Sequence, residues 1–303
     1  MKTIFIVNPT SGNGKGEQKV KNAIANLHGD FEIYVTKAPL DATRFIKEYC
    51  INNPAQRVRF CACGGDGTLN EVVNGAVGFE NAEITCYPCG SGNDFVKYYG
   101  KESEFADISE IVNSEAVPLD LIKIGDRYSI NVVNFGLDTC ACQTMINIKN
   151  KTIFGGKMAY NMGLVYSVIA AMKNKAKIYV DNELVNESGK YLLASVANCK
   201  YYGGAYCCAP RAENNDGLIE FCMVKPISRF RLAGLVSTYK KGKHLEDKRF
   251  EDIIKYKRCK KVEIKAPKGF ALTVDGEIIP GEHFVCEIVK DAIKFAVPKR
   301  LIK

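Results

Sequence analysis

The stretch from Cys63 to Gly75 (Cys-Gly-Gly-Asp-Gly-Thr-Leu-Asn-Glu-Val-Val-Asn-Gly) concentrates the chemistry of this chain. An apolar run over 57 to 62 predicts a strand, and Leu69, Val72, Val73 and Ala76 recur on one helical face. Gly64, Gly65 and Gly67 therefore fall at a strand-to-helix junction. Glycines let backbone approach a ligand closely, and the amides that open a helix present positive ends to an anion, so this turn suits phosphate. Asp66 would repel phosphate on its own. Its presence calls for Mg²⁺, or for a hydroxyl proton to be accepted, in the same place. Thr68 and Glu71 are likewise not required by a bare turn. The spacing is not that of a Walker A loop, since position 9 is Pro9 where Gly14-Lys15 would need glycine, and no Gly-x-Gly-x-x-Gly follows the first strand.

Two more loops repeat the theme. Asn8, Thr10 and Ser11 offer hydrogen bonds beside Gly12 and Gly14, with Lys15 for charge; Ser91, Gly92 and Asn93 precede Asp94, which can cap a following helix. Strands are expected over 3–7, 31–36, 57–62 and 83–88, with helices over 15–27, 41–52 and 68–77. That alternation predicts a parallel sheet covered by helices, with ligands at the carboxyl ends of its strands, where all three loops lie. From about Pro118 the pattern changes to closely spaced strands over 119–124, 128–135, 177–180, 191–198, 218–224, 261–265 and 271–274, read as an antiparallel β-sandwich. Helices are expected over 156–173 and 228–241. Met158, Met162 and Val165 share a face of the first, as core or as a lipid groove. Asp216 and Asp275 each precede glycine, as turn formers do, whereas no turn rule asks for Glu277.

With 303 residues and 47% apolar content, two domains are expected: 1–118 with about 290–303, and 119–289. The apolar run near Met1 is too short for a signal peptide, and a cytoplasmic protein is expected. Thirteen cysteines, an odd number, favour free thiols over a disulfide framework; no zinc spacing is completed, and Cys63 and Cys89 flank the phosphate loops as candidates for oxidation. The 42 basic residues exceed the 34 acidic ones by a net charge of +8, and the excess gathers between Lys225 and Lys268. A solvated face, an anionic membrane surface and nucleic acid all fit that stretch, but no aromatic-rich nucleic-acid motif accompanies it.

The ordered set Asn8-Pro9-x-Ser11-Gly12, Gly64-Gly65-Asp66-Gly67-Thr68-x-x-Glu71, Gly90-Ser91-Gly92-Asn93-Asp94, Asn198 with Tyr202-Gly203-Gly204, Asp216-Gly217-Leu218 and Asp275-Gly276-Glu277 resembles the diacylglycerol and sphingosine kinase family, most closely its soluble bacterial lipid kinases. The resemblance spans nearly the whole chain. It implies an α/β nucleotide domain and a β-sandwich domain, with the last strand returning to the first, and ATP-dependent phosphorylation of a lipid hydroxyl. It implies further that the three loops and the Asp275-Gly276 turn hold ATP. Glu277 or Asp66 would take the hydroxyl proton, with Glu277 favoured and Asp66 placed in the Mg²⁺ network. Glu213, Asp216 and the carbonyl of Leu218 match the positions of a structural Mg²⁺. Ser91 stands where threonine is common and Asn215 where a second aspartate is often found. The expected partners are a lipid substrate and an anionic membrane surface bound peripherally, not nucleic acid; the oligomeric state is open, a homodimer included. Because NAD kinases share the glycine-aspartate-glycine turn, phosphorylation of a soluble acceptor is the alternative, followed by a non-catalytic nucleotide binder.

Overall fold

A computed structural model describes residues 1–151 and 172–302. The helix expected over 156–173, with Met158, Met162 and Val165, falls almost wholly outside the described residues. The chain divides into two compact units, Met1–Leu121 with Lys290–Lys303, and Ile122–Val289.

In the first unit, β1 (Lys2–Val7) pairs in parallel with β2 (Phe31–Val35) and with β3 (Val58–Gly64), and β3 pairs in parallel with β4 (Ala82–Pro88). Crossover helices α1 (Gly16–Ile24), α2 (Asp41–Asn52) and α3 (Asp66–Ala76) make those parallel pairings possible. All seven residues of β3 are buried, as expected of a strand covered on both faces. The last long strand, His283–Ala296, ends in this unit, where Lys294 and Phe295 lie parallel to Glu83 and Ile84. The expected return of the chain is thus observed. The helix read over 15–27 begins one residue later, because Gly14 has φ +79° and separates it from a short turn of helix at Ser11–Gly14.

In the second unit, six antiparallel strands run in the order β8-β7-β6-β5-β9-β10: β5 is Val132–Gly136, β6 Leu193–Ala197, β7 Ile219–Val224, β8 Ile254–Cys259, β9 Ala271–Val274 and β10 Glu277–Pro280. Val133, Phe135, Val196, Phe221 and Leu272 of that sheet pack with Ile178, Val262, Ile264 and Cys286 of a second one, built on Lys177–Val180, Lys261–Lys265 and the start of His283–Ala296. This is the expected sandwich. On the other face of the six-stranded sheet, Leu193, Cys222 and Val224 pack with Leu235 and Tyr239 of helix α5 (Arg229–Lys240). A helix not expected from the sequence, α4 (Leu137–Lys151), follows β5 directly. The single strand expected over 128–135 is broken between Ser129 and Val132.

Buried Arg59 of β3 ties the first unit together. It donates to Glu83 Oε2 at 2.8 Å and to the carbonyls of Ile111, Val112 and Ser114, each within 3.2 Å. Arg59→Ala leaves the Glu83 carboxylate and three carbonyls short of a donor. It is expected to cost about 3–5 kcal/mol, the usual cost of removing one partner of a buried ion pair, read as a lowered midpoint in urea unfolding.

Candidate functional site

The register of β3 and β4 is kept to their last residues, Gly64 opposite Pro88, so the turns that follow are side by side. Cys89 N–H donates to the Gly64 carbonyl at 2.8 Å, and a β-carbon on Gly90 would collide with the Cα of Gly65. Glycine at 90 is therefore needed for backbone contact between two turns. A β-carbon on Gly64 would likewise strike Thr68, which is buried and accepts from Asn8 Nδ2 at 3.4 Å. Asn8 in turn folds the first loop: its Oδ1 accepts from Thr10 N–H and Thr10 Oγ1, and its carbonyl accepts from Ser11 Oγ at 2.7 Å. The first unit thus gathers the three loops that the sequence singled out on one sheet edge. Helix α3 opens there, and its first-turn amides have no partner within the helix.

Asp66 is half-buried. Its Oδ1 accepts from the N–H groups of Asp94 at 2.7 Å and Phe95 at 3.4 Å, and a β-carbon on Gly92 would come within 2.7 Å of its Oδ2. Loss of water, with the Asp94 carboxylate nearby, pushes its pKa up to about 6, against the pull of those amides and of Lys97. Asp94 pairs with Lys97 Nζ at 2.6 Å, and the same ammonium donates to the Gly92 carbonyl. Asn93, with φ +49°, closes its own turn on Gly90 and reaches Glu102 Oε2 at 3.2 Å. Ser91, Lys15 and Gly67 are exposed. Glu71 faces a different neighbour: its Oε2 accepts from Ala42 N–H at 3.3 Å, joining α3 to α2. Burial raises the Cys63 and Cys89 thiols above their ordinary range, which works against the reactivity expected of them.

In the second unit, Asp275 is the residue that breaks the expected strand. Its carboxylate accepts from Ser129 Oγ at 2.6 Å and from the N–H groups of Ile130, Asn131 and Val132 at 2.9 to 3.1 Å, so those amides leave the strand ladder. It does so from φ +47°, with Gly276 at φ +93° behind it. Glu277, which opens β10, is half-buried and pairs with Arg127 Nη1 at 2.8 Å.

Of the residues matched to a structural Mg²⁺, Asp216 is the one whose partners are defined. The Asp216 carboxylate accepts from Leu218 N–H at 2.9 Å and is ion-paired to Arg258, whose Nε lies 2.8 Å from Glu220; Glu213 is exposed. A guanidinium thus supplies the positive charge that a metal would bring. Among the described residues no group of three His, Cys, Asp or Glu side chains could hold a metal ion.

One feature of the second unit is absent from the sequence reading. A cavity of about 210 Å³ lies under α5, lined almost wholly by apolar side chains, among them Leu137, Leu193, Val224, Leu232, Val236 and Phe250. A single carboxyl enters it, Asp138, which accepts from Tyr202 Oη at 2.8 Å; burial pushes it up to about 7 despite that bond. Asp138 lies in the first turn of α4, where an acidic residue is ordinary, so the sequence did not single it out.

Residues 2–124 match the diacylglycerol kinase catalytic domain, and residues 131–297 match the YegS C-terminal NAD kinase beta sandwich-like domain. The chain is 27% identical over 291 residues to a diacylglycerol kinase of Bacillus subtilis, covering 92% of this chain and 91% of that one. It is 26% identical over 294 residues to a probable lipid kinase YegS-like of Alcanivorax borkumensis, covering 95% of both. The crystal structure of a putative diacylglycerol kinase from Bacillus anthracis shares the fold at a TM-score of 0.76, with 22% identity over 99% of this chain and 98% of that one.

Asp138 links this site to pH. Its carboxyl ionises near 3.8 when unfolded and near 7 when folded, so the folded state holds the proton longer. Stability is therefore expected to be greatest below about pH 4 as far as this group is concerned, to decline up to about pH 7, and to level off above it. Urea midpoints across that range are expected to fall further for the native chain than for Asp138→Asn, which keeps only the smaller decline from Asp66 and the other carboxyls.

Proposed function

Because this chain belongs to the diacylglycerol kinase and YegS-like family of lipid kinases, we propose that it transfers the γ-phosphoryl group of ATP, taken up as its magnesium complex, to the hydroxyl of a lipid. The observation that carries this reading is the apolar cavity under α5. Its lining rewards burial of hydrocarbon and offers little to a charged dinucleotide, which favours a lipid acceptor over NAD.

In this reading the three loops of the first unit receive the nucleotide. The amides that open α3, the hydroxyls of Thr10, Ser11 and Ser91 and the Lys15 ammonium supply donors and charge to its phosphates, at a sheet edge where glycines keep the backbone accessible. Magnesium accompanying ATP would supply charge neutralisation on the transferring group. Asp66 holds the second and third loops in place through the Asp94 and Phe95 amides, and its remaining oxygen is available to that network. Glu277 is assigned as the group that accepts the hydroxyl proton. Arg127 fixes its carboxylate, and Asp275, two residues earlier, fixes the backbone from which it projects. Asp275 and Gly276 act on nucleotide only through that backbone, since the Asp275 oxygens already serve the amides of 130 to 132.

Diacylglycerol is the acceptor suggested by the relatives' names. The basic segment from Lys225 onward suits peripheral attachment to anionic lipid. Among the described residues no helix is long and apolar enough to cross a membrane.

Transfer of labelled γ-phosphate into an extracted lipid mixture, with NAD offered in parallel, tests the reading. Label in a lipid is the expected outcome, and label in NAD alone would replace it with the soluble-acceptor alternative. General-base assistance is worth about 10²- to 10⁴-fold, so Glu277→Ala is expected to lose at least about 10²-fold in turnover with an unchanged unfolding midpoint. A near-native rate would remove Glu277 from that role.

A further inference from the structure

We propose that the outward face of α5 is a membrane-docking surface, with Phe230 as the side chain that enters an anionic bilayer; this rests on the reading that the acceptor is a lipid. Phe230 is 92% exposed, while the other outward large apolar side chains, Met1, Leu40, Ile51 and Ile302, range from 40% to 65%. It is not isolated by pattern. Phe230, Ala233, Gly234 and Ser237 recur at the spacing of one helical face and are all exposed, so an uncharged stripe of α5 meets solvent. The opposite face carries Leu232, Leu235, Val236 and Tyr239 into the apolar cavity.

Charge decides the partner. Residues 225 to 245 contain Lys225, Arg229, Arg231, Lys240, Lys241 and Lys243 and no aspartate or glutamate. Arg231 is neutralised by its pair with Asp252, which leaves Lys225, Arg229, Lys240, Lys241 and Lys243 as the excess positive charge. An aromatic ring on a helix flanked by such residues matches a lipid interface, where the ring enters the acyl boundary and the cations meet phosphate head groups. Arg229 both borders the cavity and is exposed beside Phe230, so the docking face and the rim of the cavity share the first turn of α5. A lipid entering the cavity there would leave the bilayer at the point of contact.

The chain contains no tryptophan, so Phe230→Trp supplies a single reporter. Its emission is expected to shift to the blue with phosphatidylglycerol vesicles and to be quenched when their acyl chains are brominated, with neither change on phosphatidylcholine alone. Phe230→Glu is expected to weaken partition into anionic vesicles by about tenfold or more, the gain from burying one aromatic side chain, with an unchanged unfolding midpoint. Failure of the native chain to bind anionic vesicles would overturn the proposal. So would native binding with an unshifted Phe230→Trp emission, or a dimer that Phe230→Glu dissociates while vesicle binding persists. Vesicle binding with the expected shift, but without phosphate transfer to any lipid, would uphold the docking surface and remove the lipid-acceptor reading instead.

Discussion

The candidate site of the first unit depends on one backbone contact, between Gly65 and Gly90. It arises because β3 and β4 are parallel and stay in register to their ends, so two successive loops leave the sheet at the same height and at strand spacing. Side chains on both would hold the loops apart. Without them the backbones touch, and the Asp66 carboxylate can cross from one loop to the amides of the other. Thr68 then occupies the space above Gly64, and Asn8 reaches Thr68 from the end of β1. Three loops far apart in sequence are thereby set as one surface at the opening of α3. The glycines serve packing between loops before they serve any ligand.

The second unit reaches a similar end by a different device. A carboxylate at the tip of the β9–β10 hairpin gathers three consecutive amides and a hydroxyl, solvating its charge within the protein. Those amides would otherwise continue the strand toward β5. The result is a kinked segment and a hairpin whose first residue after the turn, Glu277, has a fixed point of departure. Positive φ at a non-glycine residue is a strained conformation, and the four accepted hydrogen bonds are what offset it.

Most of this architecture was legible where one physical signal dominates. Periodicity placed the helix over 41–52 and the strands over 261–265 and 271–274 at their observed limits, because each has an unbroken apolar pattern and a clear stop. The glycine-rich loops were legible because nothing else explains so many glycines with a carboxylate among them. Intramolecular partners over long separations were not legible. Glu71 pairs with the start of α2, Asp216 is engaged by Arg258, and Asp275 serves residues about 145 positions earlier; no local rule distinguishes these from ligand contacts. Helix α4 was missed because its sequence, Leu-Asp-Thr-Cys-Ala-Cys-Gln-Thr, follows a strand without an evident break and lacks strong helix formers.

Aspartates in this chain meet three fates, and the differences are physical. Asp275 accepts from three N–H groups and a hydroxyl. Asp66 has two amides but also a neighbouring carboxylate and little water, and its acidity falls between the ordinary range and neutrality. Asp138 accepts from one phenol in a largely apolar cavity, and burial pushes it up to about 7. A carboxyl retained in an apolar cavity at such a cost in solvation is out of keeping with a cavity that serves packing alone, for which an isosteric leucine would be better. The Asp138–Tyr202 pair gives that cavity one polar end. The proposed lipid acceptor, with a hydroxyl at one end and hydrocarbon at the other, would use both parts of that cavity.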